Sequence, residues 1–279
     1  MIDLLKAVIF GIVEGITEWL PVSSTGHMIL LNEFIKLDVS REFWEMFLVV
    51  IQFGAILAVI LLYWKTIWPF GRKKETGRIG VRRETLALWG KTIIACIPAA
   101  VVGLALDDWL DAHLYNWLVV SIMLILVGII FIIVENHNKG LVPVRNSLED
   151  ITVRDAFLIG LFQLAAAVFP GTSRSGATII GGLMIGVSRT AAAEFTFILA
   201  IPVMAGASLL KIAKYIAGGG SLTGSEGAIL LAGLLVAFFV SVLIIRFLMS
   251  YIRKHDFKPF GIYRIILGLV VIIYFTVTR

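Results

Sequence analysis

Residues 163–178 read QLAAAVFPGTSRSGAT. The apolar run has helical character, and Pro170, which lacks a backbone N–H, ends it. Gly171, Thr172, Ser173, Arg174, Ser175, Gly176, Ala177 and Thr178 follow, and then more apolar chain. Where that second helix begins, free backbone N–H groups and the positive end of the helix dipole favour an anion. Arg174 adds a forked donor suited to phosphate oxygens. Small residues also let membrane helices pack closely. That accounts for the glycines and hydroxyls, but not for an arginine among them. A charge inside an apolar segment marks function, so the stretch reads as a phosphate clamp at a break between two helices.

The flanking sequence sets the surroundings of that break. Of 279 residues, 59% are hydrophobic and 15% charged, with mean hydropathy +0.97. Soluble domains carry about 25% charged residues, so an all-α polytopic membrane protein is expected. Its net charge of +5 needs no nucleic-acid partner, because basic cytoplasmic loops produce it. One cysteine, Cys96, excludes an internal disulfide and a cysteine metal cluster. No cleavable signal peptide is expected: a basic leader is missing, and Glu14 and Glu18 do not suit an h-region.

Spans are expected at 43–64, 86–106, 115–134, 191–213, 227–249 and 260–277. The leg 28–37 is too short for a bilayer core that needs about 20 residues. Lys65, Arg72, Lys73, Lys74, Arg78, Arg82 and Arg83 make 65–85 a basic loop. With 135–154 and 250–258 it should lie on the cytoplasmic side. Asp107, Asp108 and Asp111 mark an acidic loop between the second and third spans.

An offset of 149 residues relates Glu14 to Gln163, Pro21 to Pro170 and Glu45 to Glu194; an offset of 148 relates Ser40 to Ser188. The first half therefore has its own break, Pro21-Val-Ser-Ser-Thr-Gly-His27. Two spans separate the first two basic loops, and two spans plus the clamp segment separate the second and third. The clamp segment must then cross an even number of times, as a re-entrant hairpin whose tip is tolerable only within protein or a wet cavity. Each half becomes a re-entrant helical hairpin plus three transmembrane helices. An odd number of spans inverts the second half, giving two inverted-topology repeats, about 1–135 and about 150–279, in a single integral membrane domain of residues 1–279. The first hairpin enters from outside and the second from the cytoplasm; their tips meet near the midplane and both termini lie outside.

Glu14 and Glu18 share a helix face. Two intramembrane carboxylates are costly unless paired, solvated or holding a cation, and with phosphate oxygens they suit Mg2+ or Ca2+. His27 lies near Ser23 and Ser24; it could activate a hydroxyl nucleophile or only hydrogen-bond the tip. The second half has Gln163 and Ala167 where the first has Glu14 and Glu18. One tip then supplies acid, base and metal ligands and the other the anion clamp, a division that fits hydrolysis of a phosphate ester or anhydride. Arg264, inside the last span, either adds positive charge to the site or snorkels to the membrane edge. Glu45 and Glu194 read as end-of-helix charges.

Glu14-Gly-Ile-Thr-Glu18 matches the (E/Q)xxxE motif of the bacterial undecaprenyl-pyrophosphate phosphatases, and 170–178 matches their PGxSRSxxT motif at every fixed position. Leu20-Pro-Val-Ser-Ser-Thr-Gly-His27 also resembles that family's first hairpin. The resemblance spans essentially the whole chain. It implies a bacterial inner-membrane enzyme, open to the periplasmic side, that removes the terminal phosphate of C55 polyprenyl diphosphate, recycles the cell-wall lipid carrier and confers bacitracin resistance. By motif, Glu14 and Glu18 bind metal or handle protons, and Ser24 or His27 is nucleophile or base, supported by Ser23 and Thr25. Ser173 and Arg174 hold the pyrophosphate, and Gly171, Thr172, Ser175 and Thr178 shape the tip. The implied partners are the lipid substrate and membrane lipids, with a homodimer left open. The rival reading is a transporter or flippase of a phosphorylated lipid or small anion, because inverted repeats with broken helices are also transporter architecture.

Overall fold

The structure, a computed structural model, describes residues 2–72 and 79–278. Its helices are α1 (Ile2–Thr17), α2 (Ser24–Phe34), α3 (Arg41–Leu62), α4 (Trp64–Ile67), α5 (Arg83–Leu114), α6 (Trp117–His137), α7 (Val153–Val168), α8 (Arg174–Met184), α9 (Arg189–Ala217), α10 (Gly224–Ile252) and α11 (Lys258–Thr278). Between α4 and α5, strands β1 (Phe70–Arg72) and β2 (Ile79–Val81) pair antiparallel. Among the described residues, six helices are long and apolar enough to cross a membrane: α3, α5 as far as Gly103, α6, α9, α10 and α11. The chain is a polytopic, all-helical membrane protein whose only strands among the described residues are that ribbon.

The remaining long elements come as two broken pairs. Helices α1 and α7 have 16 residues each, and α2 and α8 have 11. At about 1.5 Å per residue none spans a bilayer core. Irregular backbone joins them at 18–23 and 169–173, where the two prolines lie. Helix α1 stops at Thr17, four residues before Pro21, although the Glu18 N–H still bonds to the Glu14 carbonyl at 3.0 Å. The expected acidic loop is helical instead: α5 runs through Asp107, Asp108 and Asp111 to Leu114, because no proline or glycine lies there to stop it. Within the expected basic loop, Lys73, Lys74, Glu75 and Arg78 lie outside the described residues.

Local chemistry sets the helix starts. Ser40 and Ser188 cap α3 and α9 with nearly the same backbone, φ −63° and ψ 156° against φ −63° and ψ 155°. Thr152 with Asp155, and Thr223 with Glu226, form capping boxes on α7 and α10. Helix α1 packs on α10, α7 on α5, and α11 along α6. The last pair meets through glycines: a Cβ on Gly128 would stand 2.6 Å from the Gly261 carbonyl, and one on Gly261 would stand 2.7 Å from the Gly128 carbonyl. Only bare backbone permits that approach. At one end, the buried Glu135 carboxylate accepts from Arg189 Nε at 2.9 and 3.1 Å and from the Phe257 amide at 2.9 Å, tying α6, α9 and the start of α11 together.

Candidate active site

Both breaks end in the same unusual way. Ser23, before α2, has φ 73°, and Ser173, before α8, has φ 69°; they are the only non-glycine residues at positive φ among those described. Each side-chain oxygen accepts from the amide three residues on, Gly26 N at 3.4 Å and Gly176 N at 3.2 Å. Left-handed backbone costs a serine of order 1–3 kcal/mol, and such residues persist only where the surroundings hold them. Gly171 also has positive φ, +91°, and packs so tightly on α6 that a Cβ would stand 2.6 Å from the Val120 carbonyl.

The two breaks touch. Glu18 Oε1 accepts from Arg174 Nη2 at 3.0 Å, and the Glu18 carbonyl accepts from Ser175 Oγ at 3.0 Å. Glu18 Oε2 accepts from Ser24 Oγ at 2.9 Å. Arg174 Nη1 donates to the Thr196 carbonyl of α9 at 2.9 Å, and Thr178 and Thr196 share a hydroxyl–hydroxyl bond of 2.8 Å beneath it. Ser173 and Ser175 share another of 3.1 Å. Beside these groups lies a cavity of about 250 Å³ whose lining includes Glu18, Ser24, Thr25, Gly171, Ser173 and Arg174. Gln52 of α3 lines it too; its sequence signal is an amide in an otherwise apolar span.

Among the described residues, every buried side-chain N or O atom without a hydrogen-bond partner belongs to these breaks or to the helices entering them. The atoms are Glu14 Oε1, Trp19 Nε1, both amide atoms of Gln163, Thr172 Oγ1 and Arg174 Nε. Buried polar groups are ordinarily paired, so the cluster is built to be completed by water or by an oxygen-rich ligand. Glu14 and Gln163, equivalent by the 149-residue offset, are both in it. No three His, Cys, Asp or Glu side chains converge among the described residues, so those side-chain types alone do not complete a coordination shell there. Magnesium is commonly held by one or two carboxylates with substrate phosphates and water supplying the rest. Glu14, with an oxygen to spare, and Glu18 fit that donor set.

His27 does not face Ser24. Its Nδ1 lies 2.7 Å from the Ser23 carbonyl and its Nε2 lies 2.7 Å from the Tyr263 hydroxyl. A carbonyl only accepts, so Nδ1 carries the proton and Nε2 accepts from Tyr263. The ring also stacks on Tyr263, centroids 5.6 Å apart. Both ring nitrogens of His27 are thus engaged by Ser23 and Tyr263, and the Ser24 hydroxyl has Glu18 as its hydrogen-bond partner.

Arg264 does not snorkel. It is fully buried, and its fork reaches both breaks: Nη1 donates to the Pro21 carbonyl at 3.2 Å, and Nη2 donates to the Gly171 and Thr172 carbonyls at 2.8 and 2.9 Å. No carboxylate is among its hydrogen-bond partners.

The model of the family described as "Bacitracin resistance protein BacA" matches residues 7–270. Undecaprenyl-diphosphatase of Desulfitobacterium hafniense is 60% identical over 99% of this chain and 97% of its own length. Undecaprenyl-diphosphatase 1 of Clostridium acetobutylicum is 59% identical over 99% and 98%, and undecaprenyl-diphosphatase of Acetivibrio thermocellus is 53% identical over the whole of both chains. A glutamate, an arginine and a serine brought together by two strained breaks, with alignment from end to end, give one result: the chain belongs to the bacitracin resistance protein BacA family.

Proposed function

We propose that this protein is an undecaprenyl-diphosphatase, converting polyprenyl diphosphate and water into the monophosphate and inorganic phosphate, and so serving cell-wall lipid recycling and bacitracin resistance. The observation that carries the reading is the junction of Glu18, Ser24 and Arg174 beside unpartnered buried donors and acceptors. Substrate phosphate oxygens compete with Glu18 for the Arg174 fork and occupy its free Nε. Serine amides and hydroxyls of the α8 start add further donors. Glu18, released from Arg174, still holds the Ser24 hydroxyl and is placed to take its proton. Attack of Ser24 Oγ on the terminal phosphorus forms an O–P bond and breaks the bridging P–O bond, with the lipid monophosphate as leaving group; water then hydrolyses the phosphoserine. In the competing route, water bound by the same carboxylates attacks directly, and near-normal turnover by Ser24→Ala would select it. Glu14 and Glu18 would hold Mg2+ or Ca2+, which supplies charge neutralisation on the phosphates.

The finer architecture belongs to the same reading: two inverted repeats, about 1–135 and about 150–279, each a re-entrant hairpin plus three spans, with the site open to the outer face. Its support is reciprocal packing. The first leg of each hairpin lies on the other half's second long span, α1 on α10 and α7 on α5. The same exchange is compatible with lipid movement, which a flip assay with an Arg174→Ala protein in vesicles tests. The deciding experiment is phosphate release from undecaprenyl diphosphate by purified protein, with magnesium, with calcium and with chelator. Metal-dependent release that Arg174→Ala abolishes is expected. Substrate binding without release by folded wild type would overturn the hydrolase.

A further inference from the structure

We infer that the polyprenyl chain leaves the site along one face of α9, over Val203, Gly206, Ala207 and Leu210, and that this bed sets chain-length preference. The inference rests on the lipid-diphosphate reading above. The cavity lining is of two kinds. Its polar part is Glu18 and Ser24, both buried, and Arg174 with an unpartnered Nε. Its apolar part includes Val203, Met204 and Ala207 of α9, Ala166 and Ala167 of α7, and Leu110 of α5; of these, Ala167 and Ala207 are exposed and mark its rim. A space of about 250 Å³ can take a diphosphate but not a C55 chain, so the chain must pass the apolar rim. Positions 203, 206, 207 and 210 lie at i, i+3, i+4 and i+7, one face of a helix. That face is continuous with the rim and has no packing neighbour at Gly206, where nothing lies within 4 Å of the place a Cβ would occupy. Gly206 and Ala207 make it shallow enough for branched isoprene units to lie against the backbone. Leu243 of α10, 65% exposed, lies on another helix and lines no part of this cavity.

The test compares phosphate release from undecaprenyl diphosphate and from farnesyl diphosphate in detergent. Ala207→Trp is expected to lower kcat/KM for the long substrate at least tenfold while changing the short one less than threefold. Leu243→Trp should change neither. Because tryptophan could disturb folding, a Cys96→Ala, Ala207→Cys protein is labelled after purification with maleimides of increasing size. Long-chain turnover should fall with reagent bulk, and undecaprenyl diphosphate should slow labelling more than farnesyl diphosphate does. Equal losses for both substrates would mean that position 207 obstructs the headgroup, and unchanged turnover would mean that the chain leaves elsewhere; either result overturns the bed. Absence of release from both substrates by wild type would instead remove the hydrolase reading beneath it.

Discussion

Arg264→Met removes the guanidinium that touches both breaks and leaves an unbranched apolar side chain. Two effects on stability oppose each other. The Gly171, Thr172 and Pro21 carbonyls, at 2.8, 2.9 and 3.2 Å, lose a donor at roughly 1–3 kcal/mol each, so about 3–9 kcal/mol is at stake. Against this, a buried cation without a carboxylate partner carries a desolvation cost of several kcal/mol, which methionine removes. The net loss is a few kcal/mol at most, each lowering Tm by roughly 2–4 °C, and the protein stays folded. Turnover has no such compensation. Pro21 precedes the Ser23-Ser24 tip, and Gly171 and Thr172 precede Ser173 and Arg174. Releasing their carbonyls unfixes the two tips relative to each other, and a misplacement of about 1 Å costs on the order of 10²-fold. Arg264→Lys keeps the charge, but its compact ammonium cannot span carbonyls on two loops, so it should lose a similar factor. The assay is phosphate release, for kcat and KM, beside a tryptophan-fluorescence melt. Either variant turning over within threefold of wild type at unchanged Tm would refute the claim that this fork aligns the tips.

Gly171→Ala should reduce turnover by at least tenfold, because positive φ and the Val120 carbonyl both reject a Cβ; an alanine protein with normal kcat would show that α6 gives way. Tyr263→Phe keeps the ring stacked on His27 and removes one hydrogen bond, so kcat should fall only about three- to tenfold, in line with 0.5–1.5 kcal/mol; a loss beyond a hundredfold would give the His27–Tyr263 pair a larger role than holding the tip. Outside the membrane, the Asp150 carboxylate accepts from the Asn146 amide, the Ser147 amide and the Ser147 hydroxyl at 2.9–3.0 Å, which hold its pKa below the usual 3.8. A depressed pKa adds stability above the unfolded value and loses it as pH falls through the folded one. Hydrogen exchange at Asn146 and Ser147 should then be equally protected at pH 7 and about pH 5 and lose protection below about pH 4, while Asp150→Asn lowers it throughout; protection already lost near pH 6 would contradict this.

Much of the molecule is readable along the chain because the bilayer imposes long apolar runs, and the leg at 28–37 is too short to be one. The break after Pro170 announced itself by an arginine in a place where burial is expensive. What could not be read were partners across the fold. Arg264 stood one turn or so inside a span, and depth along one helix does not say which loops approach it. His27 is three residues from Ser24, a spacing that fixes an angle on α2 but not the presence of Tyr263 at that angle. Glu135 and Arg189 each sit at a span end, where single charges are ordinary, and only the fold makes them a pair. The charge of the acidic stretch after residue 106 suggests a loop, yet nothing in it opposes helix, and α5 continues.

The position of Arg264 in the chain also orders events during synthesis. The groups it joins are complete by Thr172, but the arginine itself arrives in α11, 92 residues later. Until then Glu18 and Arg174 can meet only without the fork that aligns their loops. Insertion of α11 thus acts as an alignment step of assembly, and a chain supplied as two pieces, 1–254 and 255–279, should gain full activity only when both are made in the same membrane.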